Sequence, residues 1–237
     1  MSATILDGRV IRDGKLPELK ARFAALLKLP TLAIIQVGER KDTEAYVKAK
    51  KAFGEKLGVA VKHIKLDQNV SQHDLLAKIR ECNEDPDMKG IVVQLPVPPA
   101  IDQDSIVETI SPVKDVDGLT SVNVRGWLDG NENAILPATA RGVKELLANY
   151  EIDLFGKHVV VVGRSMLVGK PLAAFCLNEN ASVTVCHSKT VDLASETRKA
   201  DVLIVAAGKP KLIGADHVRE DAVVIDVGIN TVKGEKL

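Results

Sequence analysis

Aromatic side chains are scarce, at 3% of 237 residues, with one tryptophan, two tyrosines and four phenylalanines. A core built on stacked rings is therefore excluded, and Val, Ile, Leu and Ala must fill the interior. That composition suits a parallel sheet buried on both faces. Cysteine is also sparse: Cys82, Cys176 and Cys186 lie far apart and form no CxxC pair. Each sits in or near an apolar stretch, so buried free thiols in a reducing compartment are expected. Charge of one sign is missing, since 32 Lys and Arg balance 32 Asp and Glu. Neither nucleic acid nor a membrane surface is an expected partner. No apolar run approaches the ~20 residues of a membrane span. The opening "MSATILDGRV" lacks the apolar centre of a signal peptide, so a cytoplasmic protein is the expectation. No metal site is expected.

What the chain has is a series of short β-branched runs with helical spacing between them. "TLAIIQVG" begins at Thr31, "VAVKHIKL" at Val59 and "GIVVQLP" at Gly90. The segments from about Ala45 to Leu57 and Asp74 to Cys82 carry helical periodicity. Strand, helix, strand in repetition implies right-handed βαβ units. A proline-rich pause, "PVPPAIDQD", follows, and "SPVKDVDGLTSVNVRGWLDGNENAILPATA" reads mostly as turns and loops. A second series then ends its strands at Gly163, His187, Gly208 and Gly228. Its spacing of about 20 to 25 residues is that of a doubly wound sheet. The expected architecture is two α/β domains around a cleft, 1–136 and 137–237, the second a doubly wound, Rossmann-type nucleotide-binding domain.

In the second half, "VVVVGRSMLVGKP" runs a strand into Gly163, but Ser165 and Val168 hold the third and sixth places of the dinucleotide fingerprint, and Gly169 comes one residue late. Gly163 allows a close backbone approach, and Ser165 can cap a helix that starts late. A plain strand–helix junction is the other reading. At the next strand end, where an NAD site places an acid, stands "CHSKT". Hydroxyls and bases there, with Arg164 from the first turn, suit a 2′-phosphate; a solvated polar loop is the alternative.

In the first half, Asp42 or Thr43 can cap the helix and Gly58 can end it. Tyr46 and Lys50 are four apart and share a helical face. Phe53 and Leu57 continue near that face, so a Tyr over the core with a snorkelling Lys competes with a functional pair. Gln94 sits near the C-terminal end of an apolar strand, where ligands of open α/β sheets bind, or it bonds its own loop. "KDVDG" sets Asp115 and Asp117 before Gly118: either a turn, or, for Asp117, an acceptor for the amino and ring N–H groups of a heterocycle.

Together "LDGRVI", "AYVKAKKA", "GIVVQLPVP", "KDVDGLTSVNV", "GRSMLVGKP", "ASVTVCHSKT", "ADVLIVAAGKP" and "AVVIDVGIN" resemble, in order and spacing from Leu6 to Asn230, the bifunctional methylenetetrahydrofolate dehydrogenase/cyclohydrolase family. The resemblance implies oxidation of 5,10-methylenetetrahydrofolate with NADP, then hydrolysis of the methenyl product to 10-formyltetrahydrofolate, in one-carbon metabolism. It implies Lys50 as the catalytic lysine, Tyr46 as a pocket residue, Gln94 as the lysine's partner and Asp117 as the holder of the pterin. Gly163, Arg164, Ser165, Ser188 and Ile229 become nucleotide contacts. Tetrahydrofolate derivatives are the implied substrates and a homodimer through the second domain the implied assembly.

The chain also departs from the family pattern. Ala52 replaces a second lysine, "NVRGWL" stands for N-x-G-R-L, and "PATARG" lacks the second proline of P-x-T-P-x-G. The sequence ends at "TVKGEKL" where the family continues with a G-D-V segment, a P-G-G-V-G-P-M-T loop and a helix, so the natural polypeptide is expected to extend past Leu237. Two further readings follow: a family-fold binding or dimerising protein with weak or lost catalysis, and another two-domain dehydrogenase of the shikimate type.

Overall fold

The computed structural model describes residues 3–39 and 41–228, without the side chains of residues 41–43 and 45. Helix α1 (Gly8–Ala24) precedes β1 (Thr31–Val37), α2 (Lys41–Leu57), β2 (Ala60–Leu66), α3 (Gln72–Glu84), β3 (Met88–Val93), α4 (Gln103–Thr109) and α5 (Ser121–Leu128). Then come α6 (Ala138–Asn149), β4 (His158–Val162), α7 (Gly169–Asn178), β5 (Ser182–Cys186), α8 (Leu193–Thr197), β6 (Val202–Val205) and β7 (Val223–Asp226). Two compact units, residues 1–123 and 124–237, divide within α5. Among the described residues no helix is long and apolar enough to cross a membrane.

In the first unit the parallel sheet has the order β2-β1-β3. Successive side chains of β1 point to opposite faces, and both faces are covered. Ala33, Ile35 and Val37 join Leu75 and Ile79 of α3 and Ile106 of α4, while Ile34 and Val92 pack with Val47 of α2. Helix α2 begins at Lys41, so Asp42 and Thr43 fall inside its first turn and not ahead of it as caps. Gly58, at φ +74°, does end it.

The second unit has four parallel strands in the order β5-β4-β6-β7. Val159 and Val161 face α6 and α7 through Val143, Leu147, Leu172 and Phe175. Val160 and Val162 face the opposite way, with Leu203, Val205 and Cys186. Helices on both faces of a parallel sheet make it doubly wound. The order reverses direction between β4 and β6 here, and between β1 and β3 in the first unit.

The stretch after Ser111 is more regular than its composition suggests. It contains α5 and the start of α6, and α4 lies just ahead of it. The segment "SVNVRGWL" has two valines and a glycine, poor local helix formers. Tertiary anchors override them: Asn123 and Trp127, one turn apart, are both buried. Helix α1 gives no strong apolar period either, with only Ile11 buried.

Candidate active site

The C-terminal ends of β1 and β3 form the switch point of the first unit. Gln94 follows β3 directly; its backbone N–H donates to the Ile35 carbonyl at 2.8 Å. Its side chain is half-buried, and the Leu95–Pro96 peptide after it is cis. On α2 the residues turned to the sheet are Val47, at 3% exposure, and Gly54, where an added Cβ would stand 2.8 Å from Val61. This seating decides the direction of the neighbouring face. Tyr46 is exposed and Lys50 half-buried, so Tyr46 does not lie over the core.

Asp115 and Asp117 behave differently. A bridge pairs Asp115 with Ile91, and the Ile91 N–H donates to the Lys114 carbonyl at 2.7 Å. The Asp115 carboxylate, 1% exposed, accepts hydrogen bonds from the Thr120 N–H at 2.8 Å and the Asn123 amide at 3.0 Å. Lys114 secures the segment from the other side, donating to the carbonyls of Cys82, Asn83 and Asp85 at the end of α3. Gly118, at φ +67°, turns the chain. Asp117, two residues past the bridge, is held by this frame but accepts no hydrogen bond from the described residues. Burial pushes its carboxyl above the usual range; the Lys50 charge opposes that shift and Asp115 adds to it. The structure thus brings Lys50 within electrostatic reach of Asp117. No hydrogen bond joins Lys50 to Gln94 among the described residues.

In the second unit the corresponding ends are built from backbone. Gly163 has φ +134°, and an added Cβ would lie 2.7 Å from the Ala206 carbonyl oxygen at the end of β6. At Gly169 an added Cβ would lie 2.2 Å from the Gly163 oxygen. The late glycine therefore does the work of the third fingerprint glycine, letting the helix start pack on the first turn. The one-residue delay is absorbed by the 166–168 turn, so α7 begins at Gly169. The helix's N-cap is Val168, not Ser165. The Ser165 hydroxyl still accepts from the Gly169 N–H at 3.4 Å, and its carbonyl accepts from Lys170 at 3.0 Å.

The Gly163 N–H donates to Cys186 O at 2.8 Å, tying the end of β4 to β5. Beyond β5, residues 187–190 fold into a turn with Ser188 and Lys189 exposed. Arg164 is exposed on the adjoining turn. The glycine cradle and the adjacent basic and hydroxyl groups fit a dinucleotide carrying a 2′-phosphate. Gly228 was not foreseen: its Cβ would come within 2.6 Å of the Ala207 oxygen, a closeness that one glycine in a sequence does not announce. Ile229 lies outside the described residues. Among the described residues, no group of three or more His, Cys, Asp or Glu side chains could hold a metal. All three thiols are buried, and burial pushes that of Cys176 up to about 12.

Two family descriptions match the chain: "Tetrahydrofolate dehydrogenase/cyclohydrolase, catalytic domain" over residues 6–117 and the NAD(P)-binding domain of the same family over residues 137–237. The chain is similar to the bifunctional protein FolD of Bacillus subtilis, 45% identical over 240 residues and spanning 100% of this chain and 84% of that protein. Its fold is similar to the crystal structure of the bifunctional enzyme FolD from Campylobacter jejuni, with TM-score 0.96, 42% identity, and coverage of 99% and 84% of the two chains. It is also similar to the Trypanosoma brucei FolD structure complexed with NADP cofactor and inhibitor, with TM-score 0.94, 36% identity and coverage of 100% and 83%.

Proposed function

Because the chain belongs to the tetrahydrofolate dehydrogenase/cyclohydrolase family, we propose that its Lys50, Tyr46, Gln94 and Asp117 form the folate-processing site of a bifunctional enzyme. The reactions are oxidation of 5,10-methylenetetrahydrofolate with NADP and hydrolysis of the methenyl product to 10-formyltetrahydrofolate. The observation that carries the site assignment is the contrast between the two aspartates. Asp115 has its carboxylate satisfied by the fold. Asp117 bears the cost of burial without such bonds, as expected of an acceptor reserved for a ligand's amino and ring N–H groups.

NADP, when bound, supplies the hydride acceptor. Gly163, Gly169, Arg164, Ser165 and Ser188 would hold it, with Ile229 as a further contact. The folate's bridge carbon lies between two nitrogens whose lone pairs stabilise the cation left by hydride departure, so this step asks the protein mainly for alignment. Asp117 orients the pterin and Tyr46 borders the pocket. Hydrolysis additionally requires proton movement between water and the leaving nitrogen. The Lys50 amine performs it, oriented through the Gln94 side-chain oxygen once substrate closes the site.

The functional division into a folate domain, 1–136, and a nucleotide domain, 137–237, belongs to the same proposal. So does a homodimer through the second unit, supported by β5 standing at a sheet edge with Val185 40% exposed. A cytoplasmic location belongs to the same proposal, in keeping with three cysteines that are buried and unpaired with one another. Coupled assays of NADPH formation and methenyl decay test the reading. Both activities are expected, and neither appearing with folded protein would overturn it. Sedimentation as a monomer at micromolar concentration would remove the dimer.

A further inference from the structure

We propose that Thr190 is a positioning residue for cofactor selectivity: its hydroxyl latches the 187–190 turn so that Ser188 and Lys189 are preset for the 2′-phosphate of NADP. The inference rests on the NADP reading above. Strands β4 and β5 pair with Val162 opposite Cys186, and the Gly163 N–H continues the pairing onto the Cys186 carbonyl. The turn that carries Arg164 and the turn that carries Ser188 thus leave adjacent strand ends.

The turn between Cys186 and Val191 is closed by three hydrogen bonds. The Thr190 N–H donates to the His187 carbonyl at 2.9 Å. The His187 N–H donates to the Thr190 hydroxyl at 2.9 Å. The Lys189 N–H donates to Nδ1 of His187 at 3.1 Å. The threonine hydroxyl is the acceptor that closes the turn on the His187 N–H. Its β-branch restricts χ1 and holds the oxygen in place. Ser188 is the member of the turn whose N–H and hydroxyl enter none of these bonds, and it is exposed with Lys189.

A short polar turn without such a latch would have to be ordered when the phosphate binds, which weakens binding. The ordering term enters only for a ligand that uses Ser188 and Lys189. A dinucleotide without the 2′-phosphate is indifferent to it. Thr190 therefore acts through its neighbours on the ratio between two ligands.

The test is calorimetric titration of the wild type and of Thr190→Val, Thr190→Ala and Thr190→Ser with 2′,5′-ADP and with 5′-AMP. It is paired with the ratio of kcat/KM for NADP to that for NAD. Thr190→Val and Thr190→Ala should bind 2′,5′-ADP about tenfold more weakly, on the scale of one lost hydrogen bond at an organised site, with 5′-AMP unmoved. Thr190→Ser should retain most of the preference. An unchanged preference in Thr190→Val overturns the inference. So does an equal loss for both ligands, which would mark a structural role only. Thr190→Ala reads the same ratio if the valine chain fails to fold. A wild type that binds both ligands equally overturns the NADP reading and this inference with it.

Discussion

The two units share one winding scheme yet prepare their switch points by different means. In the first, the end of the sheet is furnished with side chains: Gln94 after β3, Asp117 beside it and Lys50 from α2. In the second, the work falls to backbone. Gly163 and Gly169 clear the space at the turn ahead of α7. The difference fits the chemistry proposed for each unit. Moving a proton needs an ionisable atom at a defined place. Holding a pyrophosphate needs close approach and aligned dipoles, which side chains would obstruct. A sheet winding is thus neutral to function, and what tops its strands is decisive.

This comparison can be broken most forcefully at Lys50. Lys50→Met keeps an unbranched apolar stem and removes the amine. Cyclohydrolase activity should fall by about 10²- to 10⁴-fold, the range of general acid–base catalysis, while dehydrogenase activity falls much less. Equal losses in both assays, with circular dichroism unchanged, would mean that Lys50 positions folate and does not serve hydrolysis.

The opposite kind of change should damage the second unit. Gly169→Ala adds one methyl where the Gly163 oxygen would be 2.2 Å away, so the turn must shift. NADP affinity should drop about 10²-fold, the cost of an ångström-scale misplacement, with folate affinity kept. Fluorescence titration with NADPH measures it, and wild-type affinity would show that the turn does not hold the cofactor.

A smaller effect separates backbone from charge within the second unit. Arg164→Met should reduce NADP affinity by about tenfold or more, the worth of a charge-assisted hydrogen bond, and leave NAD almost unaffected. Parallel steady-state assays with the two cofactors decide it. A clear wild-type preference for NAD would remove the premise.

The smallest effect concerns stability. Asp117 is a carboxyl with its folded-state pKa raised by burial. Its contribution to stability is fully present below the unfolded pKa and is lost as pH rises through the folded value. At neutral pH its ionised form is therefore a liability to the fold. Asp117→Asn should raise Tm slightly at pH 7, with the difference vanishing in acid, while both activities fall together. In the wild type, folate binding should weaken as pH falls through a value above the ordinary carboxylate range. A lower Tm for Asp117→Asn at pH 7 would show that the carboxylate is structurally paired after all.

Much of this was legible in the chain before any coordinates. The β-branched runs placed β1 to β7 within about three residues at either end, β2 among the best of them. Gly163 after four valines located the turn between β4 and α7, and the absence of an acid in "CHSKT" pointed to NADP. Strand periodicity and glycine requirements act over a few neighbouring residues, so they survive in a linear reading. Helix α5 did not survive it, because Asn123 and Trp127 secure that segment through distant contacts.

The sequence alone determined which groups are present and roughly which strand ends carry them. Tertiary structure decided what each one faces. Asp115 and Asp117 are chemically identical and two residues apart, and only the approach of Thr120, Asn123 and the β3 edge bonds the first carboxylate into the fold, while the second accepts no hydrogen bond from the described residues. Tyr46 turns outward because Val47 and Gly54 take the face against the sheet. Gly169 acts as a fingerprint glycine despite its late position because the 166–168 turn returns the chain to Gly163. These outcomes depend on through-space packing and desolvation between segments far apart in the chain, which no local pattern encodes.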